Sequence, residues 1–225
     1  MEELTQEQKD ARDKALHDRF YKDNETVVLD LSEFLPKAAL LGGWFTPQEG
    51  EYIMSAVREL SNVPGSVVEI GSYVGKTTSY FSRALLDDGK GEYIYSIDPF
   101  TGSIEHQQFI EANLEGFQNG TTFPLYVHNL KRLGVYNNVV PIAAHSDKVA
   151  KNWNLPIKIL FIDGDHNHDQ PSRDYQNFAK FISPGGYLLF HDSTTPDVIK
   201  AINEAMEDGW VMFKQMGVLT VWRKA

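Results

Sequence analysis

The sequence predicts a doubly wound α/β fold built on a seven-stranded, mostly parallel sheet whose last strand is antiparallel. Three observations carry this. Residues 66–78 read SVVEIGSYVGKTT, a β-branched run ending at Gly71 and a helix-spaced segment opening at Gly75, which is strand, tight turn, helix. The runs from Ile157 to Ile162 and from Tyr187 to Phe190 are almost wholly apolar, as strands buried on both faces of a parallel sheet are. Strand-like and helix-like segments alternate between them, and two final strands, Trp210 to Phe213 and Val218 to Trp222, meet tightly at Gly217.

At 225 residues the chain accommodates one sizeable domain, placed at 46–225, with an N-terminal extension at 1–45. An aliphatic and aromatic content of 42% supports an ordinary core. With no cysteine, disulfides and thiolate metal sites are excluded, so a metal would need carboxylates, histidines or water. A net charge of −10 without a basic run argues against nucleic acid and anionic membrane, and favours a small-molecule partner. The N-terminus lacks the apolar core of a signal peptide, and no apolar run approaches the ~20 residues of a membrane span, so the expected compartment is the cytoplasm.

Residues 1–24 are densely charged, with a thin apolar stripe (Leu4, Ala11, Ala15, Leu16, Phe20) that fits a helix lying loosely on the body as a lid or against a second copy of the chain; a solvated tail is the alternative. Val27 to Leu35 has mixed spacing. Leu40 to Phe45 sets two glycines beside two large aromatics, a composition suited to covering a pocket. Thr46, Pro47 and Glu49 form a strong helix start for 47–61. The helix from Gly75 closes near Leu86 at Asp87-Asp88-Gly89, and the strand 93–97 stops at Asp98-Pro99. Two helices are expected at 103–117 and 124–133, then a strand at 139–143 followed by His145-Ser146-Asp147. Helices at 171–182 and 197–206 flank a turn at Pro184-Gly185-Gly186.

The glycine turn is the first candidate site, because a helix start offers free N–H groups to a polar ligand. A phosphate-binding loop would need glycine where Ile70 stands. A dinucleotide fingerprint would need it at Tyr73, whose bulk obstructs a pyrophosphate. A nucleoside without phosphates fits better. An acid ending the second strand of such a unit is where a ribose hydroxyl pair is bound, which makes Asp98 the ribose candidate, against a role as turn former before Pro99. Two buried strands end in acids and histidines: Asp163, Asp165 and His166 after one, His191 and Asp192 after the other. Strand ends of a parallel sheet face one crevice. Carboxylates with one imidazole suit a divalent ion such as Mg²⁺, Mn²⁺ or Ca²⁺, and a histidine can take a proton from a hydroxyl at neutral pH.

These residues carry a resemblance. Glu69 to Gly75, Ser96 to Phe100, Phe161 to His166, and Pro184 through Asp192 resemble, in order and spacing, the motifs of class I S-adenosylmethionine-dependent methyltransferases with a Rossmann-like sheet. The first is in the G-x-Y-x-G form of the metal-dependent small-molecule O-methyltransferases, catechol-type and macrolide-sugar-type. The resemblance implies S-adenosylmethionine held by Glu69, Gly71, Ser72, Tyr73 and Gly75 at its methionine end, by Asp98 at the ribose and by Ser146 at the adenine, with Asp163 beside it. It implies a divalent ion, Mg²⁺ or another, on Asp163, His191 and Asp192, with His191 standing where a carboxylate is usual. His166, three residues past Asp163, falls on the position of the base that deprotonates the acceptor. An NAD-type oxidoreductase and a non-catalytic cofactor-binding protein are the alternatives.

Overall fold

The computed structural model describes residues 29–102, 120–166 and 169–224. Within them one sheet of seven strands runs in the order β3-β2-β1-β4-β5-β7-β6, where β1 is Ser66–Ile70, β2 Ile94–Asp98, β3 Val139–Ala143, β4 Ile157–Ile162, β5 Ile182–Phe190, β6 Trp210–Met216 and β7 Leu219–Lys224. β1 pairs in parallel with β2 and β4, and so do β2 with β3 and β4 with β5; β7 runs antiparallel to both β5 and β6. The order reverses at β1 and β4, and the carboxyl ends of those strands open the crevice in which such sheets bind ligands.

Period-two alternation along the strands divides the core. Val67, Ile159, Phe161, Tyr187 and Leu189 face helices α1 (Leu31–Ala39), α2 (Pro47–Glu59), α3 (Lys76–Asp88) and α4 (Phe123–Arg132). Val68, Leu160, Ile162, Leu188 and Phe190 face α5 (Ser146–Ala150), α6 (Gln170–Phe178) and α7 (Pro196–Glu207) on the other side. Lys158, away from the crevice, is fully buried and donates to Glu92.

Three local readings change. Helix α1 was hidden by Pro36, yet it forms, because Asp30 caps it by accepting the Glu33 N–H at 3.0 Å, and Phe34 and Ala38 are buried on the body. Pro184-Gly185-Gly186 does not precede the strand but lies inside it. Ile157 pairs with Ile182 and Ile159 with Tyr187, so the extra β5 residues bulge out, with Gly185 at φ 83°. The five-residue α5 had no periodicity to announce it. The helices expected at 1–24 and 103–117 lie outside the described residues.

Candidate active site

The crevice is a cavity of about 480 Å³, lined by the glycine turn, the ends of β2, β4 and β5, and the linker Gly42 to Phe45. The turn is shaped by backbone contact. Gly71 has φ 92°, and a methyl group there would come within 2.1 Å of the Asp163 carbonyl oxygen, so only glycine lets β1 and β4 approach so closely. Asp98 does more than stand by the ligand space: its Oδ2 accepts the N–H groups of Ser72 and Tyr73 at 2.9 and 2.8 Å, and its Oδ1 accepts the N–H of Phe100. Tyr73, held this way, takes φ 47°. Non-glycine residues in that region are strained, and such strain gathers at functional loops.

Not every residue of the candidate set faces the cavity. Gly71, Ser72, Tyr73, Asp98, Ser146, Asp163, His166, His191 and Asp192 line it; Glu69 and Gly75 stand behind its wall. Glu69 is fully buried, its Oε2 accepting from Thr78 at 2.5 Å and Ser96 at 2.9 Å while Oε1 has no partner. Burial pushes its carboxyl up to about 7 against the opposing bonds from Thr78, Ser96 and Ser72. Gly75, at φ 87°, is the cap of α3.

At the ends of β4 and β5 the acid and histidine groups converge. His191 Nδ1 lies 3.1 Å from Asp163 Oδ1 and 3.3 Å from Asp192 Oδ2. His166 Nε2 lies 3.3 Å from Asp192 Oδ2 and 3.9 Å from Asp163 Oδ1. None of these nitrogens is aligned for a hydrogen bond. Donor atoms of Asp163, His191 and Asp192 all fall within 4.8 Å of one another. Below them Glu49, which closes the capping box with Thr46 at the start of α2, also brings Oε1 to 3.6 Å from His191 Nε2. Burial of His191 opposes its charge, but Asp163 first, then Asp192 and Glu49, outweigh it and push the imidazole up to about 12. Asp192, with φ 49°, is held low by His191. Burial raises Asp163 despite the same imidazole.

The far wall holds groups the sequence reading missed. Ser146 donates to Asp174 Oδ1 at 2.5 Å, and Gln170 donates to both. Asp174 is 1% exposed, and burial moves its carboxyl up to about 6. It sits mid-helix with no motif around it, so only the fold brings it to Ser146. Trp44 and Lys76 also line the cavity, and only the glycine linker's composition pointed there. Among the described residues no helix is long and apolar enough to cross a membrane.

Comparison with known proteins identifies the family and the fold. The profile of a family described as a methyltransferase domain matches residues 68–193, more than half of the chain. A curated relative, the uncharacterized protein R132 of Acanthamoeba polyphaga mimivirus, is 29% identical over 145 residues, 63% of this chain and 59% of its own length. The chain therefore matches about three fifths of that relative. Among solved structures, the O-methyltransferase NovP superposes with a TM-score of 0.68 at 17% identity, covering 96% of this chain and 97% of its own. The methyltransferase PaMTH1 of Podospora anserina, solved with S-adenosylhomocysteine bound, gives 0.62 at 15% identity over 100% and 99%. These likenesses are of fold.

Proposed function

The chain belongs to the methyltransferase-domain family whose profile spans residues 68–193, and we propose that it moves a methyl group from S-adenosylmethionine to a hydroxyl of a small sugar-like or phenolic acceptor. The observation that carries the finer reading is the meeting, in one cavity, of the Asp98-stapled glycine turn with an unpartnered histidine nitrogen flanked by two carboxylates. The S-adenosylhomocysteine in PaMTH1 and the O-methyltransferase name of NovP support the donor and the acceptor atom.

The cavity fits the donor. Its volume lies in the range of small-molecule sites, roughly 300–1,000 Å³, and Asp98 lines it beside the Ser72 and Tyr73 amides that it holds. When bound, S-adenosylmethionine supplies a methyl carbon activated by its sulfonium. Asp98 and Ser146 orient the nucleoside. His166 Nε2, buried and without a hydrogen-bond partner, accepts the acceptor's hydroxyl proton as the oxygen bonds to the methyl carbon and the carbon–sulfur pair returns to sulfur. Asp192, 3.3 Å from that nitrogen, stabilises the imidazolium that forms.

The donor set also fits a divalent ion. His191 Nδ1 is buried, lies near two carboxylate oxygens, and bonds to neither. Asp163, His191 and Asp192 would hold the metal, whose chemistry there would be to lower the hydroxyl pKa and fix its direction. Glu49 favours a second reading: with three carboxylates around it, a protonated His191 is itself the fixed cation, and the reaction runs without metal. The test is release of S-adenosylhomocysteine from S-adenosylmethionine over a panel of phenols and sugars, with Mn²⁺ or with chelator. Acceptor-dependent release that needs His166 is the expected result; none with any acceptor contradicts the proposal.

A further inference from the structure

We propose that Glu49 is a positioning residue of this site: its Oε1 keeps the proton of His191 on Nε2 and so leaves Nδ1 for the divalent ion that Asp163, His191 and Asp192 would hold; this rests on the metal reading given above. Glu49 lies on α2, apart from the strand ends that supply the other groups, and its two oxygens have separate surroundings. Oε2 accepts the Thr46 N–H at 2.8 Å and the Thr46 hydroxyl at 2.7 Å, which closes the capping box. Oε1 lies 3.6 Å from His191 Nε2, and a methyl group on Gly217 would meet it at 3.7 Å, so the turn between β6 and β7 shuts it in.

Capping alone does not account for this placement. A glutamate that closes a capping box needs one oxygen for the backbone and can leave the other in water, whereas Glu49 is 3% exposed. Burying a carboxylate is costly unless its oxygens are compensated, and the group that faces the second oxygen is the His191 ring. A distance of 3.6 Å is longer than a hydrogen bond. Even so, a carboxylate that close in a buried place favours, by charge alone, a proton on the nitrogen that faces it.

The ring itself is confined. His191 is 2% exposed, and Phe45 and Phe161 pack against it with ring centroids 5.4 and 6.4 Å away. Its two nitrogens meet different acids. Nε2 faces Glu49, whereas Nδ1 stands 3.1 Å from Asp163 Oδ1 and 3.3 Å from Asp192 Oδ2, and no hydrogen bond is aligned at either nitrogen. An imidazole that ligates through one nitrogen carries its proton on the other, and a carboxylate beside that N–H orients the ring and raises its basicity toward the metal. Glu49 is the acid in that place. Because its other oxygen is tied to Thr46, the start of α2 and the ion site form one structural unit.

Glutamine at this position separates the cap from the positioning. Gln serves in a capping box as Glu does, but the Thr46 N–H then claims the amide oxygen, and the NH₂ is left to face Nε2, where it opposes an N–H and favours the proton on Nδ1. Mn²⁺ binding to the full chain, read by electron paramagnetic resonance, should weaken about 10–100-fold in Glu49→Gln, the usual loss for the partner of a ligating histidine. The metal-free melting temperature should fall less in Glu49→Gln than in Glu49→Ala, which loses the cap as well. In the Mg²⁺-loaded wild type, imidazole ¹H–¹⁵N correlations should place the His191 proton on Nε2, a measurement that stands even if a variant does not fold. Unchanged Mn²⁺ affinity in Glu49→Gln, or a wild-type His191 that carries its proton on Nδ1, would overturn the role. A wild type that binds neither ion is a different failure, that of the metal reading, and the role falls with it.

Discussion

At the scale of single residues the account depends on His166. If its Nε2 is the base, His166→Ala should lower turnover by about 10²–10⁴-fold, with S-adenosylhomocysteine affinity nearly unchanged. Retained turnover would move the role elsewhere in the cluster. The resemblance picked out His166, three residues past Asp163; the sequence could not reveal Glu49, whose capping role was plain but whose second oxygen meets His191 only once the chain is folded. Glu69 gives a separate test by pH. Its folded value of about 7 stands above the ordinary 4.5, so its neutral form favours folding. That contribution is complete below pH ~4.5 and is lost as pH rises through about 7. The displacement corresponds to roughly 3 kcal/mol, and Glu69→Gln should flatten that part of the stability curve measured by urea unfolding. An unchanged slope would mean that Glu69 ionises freely.

At the scale of elements, the turn between β1 and α3 is held from outside itself. Sequence reading assigned Asp98 a ligand, and the geometry adds three backbone N–H groups that it already satisfies. Asp98→Ala should therefore weaken S-adenosylhomocysteine by about 1.5–3 kcal/mol in calorimetry and also lower stability by about 1–3 kcal/mol, because the loop amides lose their acceptor. Lost stability with intact affinity would leave Asp98 a loop staple alone. Gly71→Ala should cost about 2–4 kcal/mol, through overlap with the Asp163 carbonyl and an unfavourable φ. Most strands were legible because burial on both faces writes continuous apolar runs. Helix α1 was not, since its proline breaks the pattern while its cap restores the helix, and the β5 bulge was not, since glycines read as a turn whether or not a neighbouring strand pairs around them.

At the scale of the whole molecule, the sheet order reverses between β1 and β4 and so brings together groups nearly a hundred residues apart. Metal binding is tested at this scale too. If Asp163, His191 and Asp192 bind an ion, Mn²⁺ should raise the melting temperature of the wild type, and Asp192→Ala should abolish that rise. No rise in the wild type would favour the His191 cation. The central claim is that the cavity binds an S-adenosyl nucleoside. Titration calorimetry of the wild type with S-adenosylhomocysteine and, separately, NAD tests it most directly. The account predicts saturable one-site binding of S-adenosylhomocysteine and none of NAD, whose pyrophosphate meets Tyr73; binding of NAD without S-adenosylhomocysteine, or of neither, would contradict it.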